Sequence, residues 1–247
     1  MSRFLPVGQH GAVPVDSAGN PLYLAAPPDP SGTTVRVLTD LWAVRVSTTY
    51  AEKLAASHSG GLRNARYFGH DRIVSRAISL LRHREGMYFD PVDATALTFD
   101  DDGVTARGGG GREIYPRVDP AVIGLIELRG QERILLGRNA HRSAYFSLIA
   151  GYVELGENLE EAFTREALEE TGRRVQNITY WGSQPWAMSG SLMAGFTAVT
   201  DDREPVTTTD GELAETRWAS RADLDDLALA QPGSIAHTMI TEWRNAQ

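Results

Sequence analysis

The segment GYVELGENLEEAFTREALEETG, residues 151–172, places several glutamates on one predicted helix at 160–171. Positions three and four apart lie on one face of an α-helix, so Glu166, Glu169 and Glu170 should project in nearly the same direction. Like charges at this spacing destabilise an exposed helix by roughly 0.2–0.5 kcal/mol per pair. In a partly desolvated cleft, two carboxylates about 4 Å apart repel each other by roughly 4 kcal/mol at an effective dielectric near 20. Such crowding requires a compensating charge.

A divalent cation would turn this repulsion into attraction. Oxygen ligands suit Mg²⁺ or Mn²⁺, which keep bound water molecules and also accept phosphate oxygens. A metal held on an acidic face can bridge to a pyrophosphate, neutralise the charge that develops on phosphorus and activate a water molecule. For three glutamates alone, the alternative is a solvated helix whose charges form surface ion pairs.

The wider spacing of the segment favours the metal site over the solvated helix. Gly151 precedes Glu157 by six residues, Arg165 adjoins Glu166, and Gly172 follows the last glutamates. These residues supply a turn, a further carboxylate, an arginine that can orient this carboxylate, and a helix stop.

The segment resembles the signature of the Nudix hydrolases, G-x5-E-x7-R-E-U-x-E-E-x-G-U, in which U is a bulky apolar residue. All fixed positions are met, by Gly151, Glu157, Arg165, Glu166, Glu169, Glu170 and Gly172. Two U positions depart from the pattern, because Ala167 is small and Arg173 is polar. The resemblance implies an α+β fold, an αβα sandwich around a mixed sheet. It also implies an enzyme that hydrolyses a nucleoside diphosphate linked to another moiety.

Three further segments, at residues 115–128, 183–193 and 231–240, are similar to the NADH pyrophosphatase subfamily in order and spacing. This resemblance implies a homodimer that splits NAD(H) into AMP and a nicotinamide mononucleotide, and that can remove NAD caps from RNA. A closely related dinucleotide, modified on the nicotinamide side and used in a biosynthetic route, is the alternative substrate. Another nucleoside diphosphate derivative is a second alternative substrate.

The resemblance also assigns roles to residues. It implies that Glu157, Arg165, Glu170 and Glu212 are catalytic, with Arg165 fixing Glu157 and either Glu170 or Glu212 accepting the proton of the attacking water. The implied ligands of Mg²⁺ or Mn²⁺ are Glu166, Glu169, Glu170 and Glu212. The implied substrate contacts are Tyr152, which would stack on a base, with Tyr115, Gln184, Trp186 and Ser191. The alternative for Tyr152 is ordinary packing, and for Gln184 and Trp186 it is contact with the dimer partner or burial without a function.

One departure from the subfamily concerns zinc. Its members usually carry a four-cysteine zinc ribbon before the Tyr-Pro-Arg segment, whereas this chain has no cysteine. We therefore expect no zinc. The strand-like stretch at 87–99 predicts that the ribbon persists as a metal-free β element, which must replace the metal by side-chain packing.

A second departure lies in the loop after Trp186. The subfamily reads SQPWPFPxS, and this chain reads SQPWAMSGS, so Ala187, Met188 and Ser189 replace two prolines and an aromatic residue. Loss of the prolines predicts a more flexible loop. This change weakens the assignment of NAD itself as the substrate.

The remaining sequence predicts three parts. Residues 1–85, with strand material at 34–47 and a helix at 72–84, should form a smaller mixed α/β N-terminal domain, which in the family supports dimerisation. Residues 86–114 should form the ribbon-like element and linker, and residues 115–247 the Nudix domain, with a last helix near 234–244. The four glycines at 108–111 are interpreted as a flexible connector between domains, because no Lys-Ser/Thr follows them as in a phosphate loop.

Composition limits the partners. No apolar run approaches the ~20 residues of a membrane span, and the first residues lack the apolar core of a signal peptide, so we expect a cytoplasmic protein with no membrane partner. A net charge of −8 disfavours nucleic acid, except NAD-capped RNA. A non-catalytic Nudix module that senses an NAD-type ligand is the alternative from another class. It is disfavoured because every carboxylate of the signature is present.

Overall fold

The computed structural model describes residues 2–28, 31–141 and 144–246, which fall into two compact units. The N-terminal unit consists of Met1–Val118 with Trp186–Gly190, and the C-terminal unit of Asp119–Pro185 with Ser191–Gln247. Among the described residues, no helix has the length and apolar character needed to span a bilayer. The three-part division at residues 85 and 114 stays a prediction.

The described residues of the N-terminal unit form two α-helices and eight short strands. The strands are β1 (Arg3–Val7), β2 (Val13–Pro14), β3 (Thr34–Leu38), β4 (Leu41–Arg45), β5 (Leu62–Arg63), β6 (Thr98–Phe99), β7 (Ala106–Arg107) and β8 (Glu113–Ile114). The helices are α1 (Thr48–Ser57) and α2 (Arg72–Gly86), with 3₁₀ turns at Gln9–Gly11 and Ala65–Phe68. The sheets are β1-β4-β3, β2-β5 and β6-β7-β8.

Helix α2 packs on the buried face of the β1-β4-β3 sheet. It begins where the Asp71 side chain accepts hydrogen bonds from the backbone N–H groups of Ile73 and Val74, which satisfies two donors of the first turn. The helix predicted at 72–84 is confirmed and extends to Gly86. The strand material predicted at 34–47 folds as the β3–β4 hairpin.

The glycine-rich stretch differs from its interpretation as a connector. Gly108–Gly111 lie between β7 and β8, whose residues Arg107 and Glu113 pair across the hairpin. The Gly109 N–H donates to Thr95 Oγ1 at 2.6 Å. The interpretation was wrong because the paired strands on both sides, only two residues long, are too short to be recognised from the sequence.

The C-terminal unit is built on a six-stranded mixed sheet. Its strands are β9 (Asp119–Leu128), β10 (Arg133–Asn139), β11 (Ile149–Tyr152), β12 (Gln176–Trp186, whose last residue belongs to the N-terminal unit), β13 (Ser191–Thr200) and β14 (Leu213–Ser220). The order is β12-β13-β9-β10-β14, and β11 also pairs with β9. Strands β9 and β13 are parallel, whereas β10 is antiparallel to β9 and β14.

One helix covers each face of this sheet. Helix α3 (Leu159–Thr171) packs with Val122 and Ile126 of β9, whereas helix α4 (Ile235–Asn245) packs with Ile123 and Leu125. Alternate residues of a strand point to opposite faces, so β9 contributes to both apolar clusters. A 3₁₀ turn lies at Asp223–Asp225. The mixed sheet and the α+β class are as predicted.

Gly124 lets α3 approach the sheet closely. A Cβ atom at this position would stand 1.9 Å from the Phe163 ring. The ring of Phe163 is fully buried and stacks on Phe196 at 5.8 Å. Helix α3 also packs beside β11, where the candidate site lies.

Candidate metal and substrate site

Helix α3 carries the acidic residues and has well-defined ends. The Asn158 side chain accepts from the Glu161 N–H at 2.8 Å, and the Glu161 carboxylate accepts from the Asn158 N–H at 2.9 Å. This reciprocal pair is a capping box, which satisfies two free donors of the first turn. Gly172 ends the helix in the left-handed conformation, with φ of 70°. The helix predicted at 160–171 is therefore confirmed.

Arg165 links the helix to the loop that precedes it. Its guanidinium donates to both carboxylate oxygens of Glu157, at 2.6 and 3.0 Å, and to the Tyr152 carbonyl at 2.9 Å. Glu157 also accepts from the Glu154 N–H at 3.0 Å. The hydrogen bonds from Arg165 hold the pKa of the Glu157 carboxyl below its usual value. Arg165 thus fixes the loop and keeps Glu157 ionised.

The three helix glutamates face different surroundings. The remaining Arg165 nitrogen, Nη1, lies 2.9 Å from a carboxylate oxygen of Glu166 and 2.9 Å from one of Glu169. Glu169 is half exposed, whereas Glu166 is largely covered. Burial raises the pKa of Glu166. Glu166 and Glu169 therefore meet at one nitrogen of Arg165 but differ in their exposure to solvent.

Glu170 is the most deeply buried carboxylate of the site, at 4% exposure. Burial raises its pKa to about 8, with a further contribution from the negative charges of Glu166, Glu212 and Asp210. A hydrogen bond from the Ala150 backbone acts in the opposite direction. In the described part of the chain, Arg165 pairs with the other signature glutamates but makes no ion pair with Glu170.

Glu212 reaches the site on the loop between β13 and β14. Its carboxylate accepts from Asn139 Nδ2 at 3.2 Å, and its carbonyl accepts from the Ala140 N–H at 2.9 Å. The Glu212 N–H donates to Asp210 Oδ1 at 2.9 Å, and the Asp210 N–H donates to the Glu169 carbonyl at 3.0 Å. The loop is therefore tied both to the end of β10 and to the end of α3.

Arg173 explains how a polar residue can occupy the last U position of the signature. The side chain is 4% exposed and donates to the Arg203 carbonyl at 3.1 and 3.2 Å and to the Thr171 carbonyl at 2.8 Å. Its guanidinium lies 5.5 Å from the Trp218 ring. Burial lowers the pKa of Arg173. The arginine therefore connects the end of α3 to the loop between β13 and β14, residues 201–212, called the acidic loop below.

The donor chemistry of the site fits a hard divalent cation. The side chains offer carboxylate oxygens, the ligands preferred by Mg²⁺ and Mn²⁺, and their negative charge exceeds the single positive charge of Arg165. Across residues 2–28, 31–141 and 144–246, however, no three acidic, histidine or cysteine side chains are grouped so that they could hold a metal ion. Arg165 engages one carboxylate oxygen of Glu166 and one of Glu169.

Two of the predicted substrate residues lie together. Tyr152 on β11 is half exposed, and its hydroxyl accepts from Ser191 Oγ on β13 at 3.2 Å. Both strands flank β9, where Ala121 pairs with Tyr152 and also with Met193. The Tyr152 carbonyl accepts from Arg165 at 2.9 Å, which joins the backbone of β11 to the helix that carries the acidic residues.

The other three predicted substrate residues are described by their own surroundings. Gln184 is buried, and its amide donates to the Gly233 carbonyl at 2.9 Å and accepts from the Ile235 N–H at 2.7 Å, at the start of α4. Tyr115 and Trp186 belong to the N-terminal unit. Tyr115 is exposed and donates to Glu113, whereas Trp186 lies 5.9 Å from the Arg66 guanidinium. The substrate roles of these three residues stay predictions.

The altered loop after Trp186 contains one residue that is buried in the protein core. Ala187, which stands where the subfamily signature has proline, is buried in the apolar core of the N-terminal unit. Met188 lines a cavity of this unit with Ile78, Arg82 and Glu85. Packing thus holds a segment for which the sequence predicts greater flexibility.

Sequence reasoning missed Asn139, Asp210 and the structural role of Arg173. Asp210 could have been found, since it lies two residues before Glu212 in an acidic turn with Gly211. Asn139 carries no such signal, because its partner is 73 residues away in the chain.

Known proteins resemble this chain in sequence and in fold. Residues 118–239 match the NUDIX domain family. The chain is 35% identical over 193 residues to the NAD-capped RNA hydrolase NudC of Mycobacterium bovis, with 70% of this chain and 60% of that protein covered. It is 40% identical over 129 residues to the protein of the same name from Photobacterium profundum, with 52% and 47% covered. The chain thus spans 47–60% of the length of these two relatives.

Among solved structures, a NUDIX hydrolase from Nitrosomonas europaea superposes with a TM-score of 0.52 at 19% identity, covering 64% of this chain and 90% of that one. This likeness concerns the fold.

Proposed function

We propose that the protein is a Nudix hydrolase, which cleaves the pyrophosphate bond of NAD(H) or of a closely related dinucleotide; the match of residues 118–239 to the NUDIX domain family supports this. The products are AMP and a nicotinamide-type mononucleotide. Two curated relatives named NAD-capped RNA hydrolase support an NAD moiety as the recognised group.

One observation carries the proposal: Glu170 is buried among the negative charges of Glu166, Glu212 and Asp210. A buried carboxylate in such surroundings is stabilised either by a proton or by a cation. Glu166, Glu169, Glu170 and Glu212 would hold Mg²⁺ or Mn²⁺. The bound cation supplies Lewis-acid stabilisation of the charge that develops on the phosphate oxygens.

The side chains position the loop before α3 and accept the proton of the attacking water. Arg165 keeps Glu157 ionised and fixes the loop that carries it. The attacking water gives its proton to a carboxylate, either that of Glu170 or that of Glu212. Burial favours the protonated form of Glu170 in the metal-free protein. The turnover of Glu170→Gln and of Glu212→Gln at saturating metal decides which of the two carboxylates accepts the proton.

Tyr152 offers a stacking surface for a flat ring. Its ring is half exposed and its hydroxyl is held by Ser191, so the side chain is oriented before substrate arrives. Stacking of one base on such a ring contributes about 1–3 kcal/mol. We assign this ring to the adenine or the nicotinamide of the substrate.

NAD-capped RNA is the second candidate substrate, because the relatives are named for it. Its chemistry at the pyrophosphate is the same, and the two substrates differ in the chain attached to the adenosine. A homodimer, a cytoplasmic location and the absence of zinc belong to the same proposal and derive from the subfamily resemblance and the absence of cysteine.

Product analysis tests this function. The purified protein is incubated with NADH, NAD⁺, ADP-ribose, FAD or NAD-capped RNA, with Mg²⁺ or Mn²⁺, in water enriched in heavy oxygen. We expect AMP and a nicotinamide mononucleotide from NAD(H), with one heavy oxygen on one of the two products. The Glu170→Gln variant is the control for contaminating activity. Equally poor rates on all small dinucleotides, with rapid cleavage of capped RNA, would shift the assignment to RNA, and no cleavage of any compound would overturn it.

A further inference from the structure

Asn139 occupies the end of β10, where its side chain reaches the Glu212 carboxylate. The regular pairing of β10 with β14 shifts between Arg138 and Asn139, so that Asn139 pairs with Leu213. Asn139 Nδ2 then lies 3.2 Å from Glu212 Oε1. The strand irregularity is thus what directs this amide to the acidic loop.

A backbone group fixes the orientation of the amide. Asn139 Oδ1 accepts the His141 N–H at 2.9 Å. A side-chain amide has one accepting oxygen and one donating nitrogen, so the N–H of His141 leaves the nitrogen to face Glu212. The neighbouring Ala140 N–H binds the Glu212 carbonyl at 2.9 Å. The turn at 139–141 therefore holds both the main chain and the side chain of Glu212.

The partner of Glu212 is neutral, in contrast to the partners of nearby carboxylates. Glu215, three residues further on, pairs with Arg138 at 3.1 Å and with Arg217 at 3.0 Å. Two adjacent residues of β10 therefore contact two different glutamates. Arg138 forms an ion pair with Glu215, which neutralises its charge. The amide of Asn139 orients Glu212 and leaves its negative charge intact. The charge of Glu212 acts on both Glu166 and Glu170.

We propose that Asn139 is a positioning residue, which holds the Glu212 carboxylate towards Glu166 and Glu170 without neutralising it. This inference rests on the role of Glu212 in the proposed function. Glu212 is exposed and the three carboxylates repel each other, so without the amide the Glu212 carboxylate would move away from Glu166 and Glu170. The loop around Gly211 leaves room for this movement, since a Cβ atom at that glycine would meet nothing within 4 Å. The cation would then lose an oriented ligand.

Two variants separate positioning from folding. Asn139→Asp has the same shape and can still accept the His141 N–H, but it cannot donate to Glu212 and repels it. Asn139→Ala removes the contact without adding charge. Asn245→Ala, at the exposed end of α4, is the matched control. Melting temperatures identify any variant that fails to fold, in which case the other one decides.

Titration with Mn²⁺ in the absence of substrate is the main measurement, and turnover of NADH against Mn²⁺ concentration is the second. Loss of an outer partner of a metal ligand typically weakens metal affinity about 10–100-fold. We expect the Mn²⁺ dissociation constant to rise by about this factor in both Asn139 variants, more in Asn139→Asp. In the background of Glu212→Gln, Asn139→Ala should have less than about a twofold further effect, because the carboxylate that it positions is gone.

The outcomes are distinct. Unchanged Mn²⁺ affinity in both Asn139 variants overturns this inference, as does a loss that persists in full in the Glu212→Gln background. If the wild-type protein binds Mn²⁺ but cleaves no dinucleotide, the proposed function fails, while the Mn²⁺ titrations still decide the role of Asn139. A wild-type protein that binds no Mn²⁺ overturns both.

Discussion

The Glu166 carboxylate lies directly over Gly151, so that a Cβ atom at residue 151 would stand 2.0 Å from the carboxylate carbon. The first glycine of the signature is therefore required by a side chain of the helix, through a close approach across 15 positions of the chain. Because Gly151 has no side chain, the Glu166 carboxylate can occupy the space beside it.

Gly151→Ala should displace Glu166 while leaving the fold intact. The added methyl group meets the end of a flexible side chain, which can move at low cost to stability, but the carboxylate then leaves the site. We expect Mn²⁺ affinity to fall about tenfold or more, with a melting temperature close to that of the wild type.

Gly182→Ala is the matched control for this prediction, because a Cβ atom there would meet nothing within 4 Å. Equal Mn²⁺ affinities in the Gly151 variant, the control and the wild type would contradict the role assigned to this glycine.

The metal-free protein should lose stability as pH rises, because of Glu170. The folded-state pKa of Glu170 is about 8, above the ordinary value of about 4.3 for an unfolded chain. The folded state therefore binds this proton more tightly, and its contribution to stability is present at low pH and declines as pH rises from about 4.3 to about 8. Glu170→Gln carries no such proton.

The measurement is the melting temperature of the wild type and of Glu170→Gln between pH 5 and 8.5, with a chelator present. The wild type should become less stable relative to the variant as pH increases, and Mg²⁺ at high pH should restore it. A difference that does not change with pH would show that Glu170 ionises normally.

Arg173→Ala should destabilise the C-terminal unit. It removes the donor to the Arg203 and Thr171 carbonyls and leaves a gap beside Trp218. Hydrogen bonds to charged groups contribute about 1.5–3 kcal/mol, and we expect the free energy of unfolding to fall by about 2–4 kcal/mol. Denaturant titration measures this change.

Arg129→Ala is the control for Arg173, since Arg129 forms an exposed pair with Asp201 at 2.7 Å and should contribute below about 1 kcal/mol. Similar losses in both variants would mean that the buried arginine does not connect α3 to the acidic loop.

A buried aspartate should stabilise the element at residues 86–114. Asp90 is 2% exposed, accepts from the Val92 N–H at 2.8 Å and pairs with Arg112. Asp90→Ala leaves that N–H and the arginine without their partner, and it should cost about 1–3 kcal/mol.

The same element should need no zinc, so the melting temperature of the wild type should not change when a zinc chelator is added. A melting temperature that falls on chelation, and recovers with zinc alone, would contradict a metal-free element.

Structure that depends on residues close together in the chain could be predicted from the sequence. The helix over the signature, found at Leu159–Thr171, depends on a cap, a helix stop and side chains within a few residues of one another. The pairing of Arg165 with Glu157, eight residues apart, lies within the same short segment. Such contacts follow from periodicity and spacing, which a sequence displays directly.

Contacts between residues far apart in the chain could not be predicted from the sequence. Asn139 meets Glu212 across 73 positions, and Gln184 holds the start of α4 across 51 positions. Both depend on how strands and loops come together. The substrate role of Gln184 was taken from the resemblance and stays a prediction, and the contact of its amide with the backbone at Ile235 could not be foreseen.

The central claim is that the carboxylates on α3 take up a divalent cation. Calorimetric titration of Mn²⁺ into the wild-type protein and into the double variant Glu166→Gln, Glu170→Gln tests it most directly. We predict saturable binding to the wild type that is lost in the double variant. Equal binding by the two proteins, or no binding by the wild type, would contradict the account.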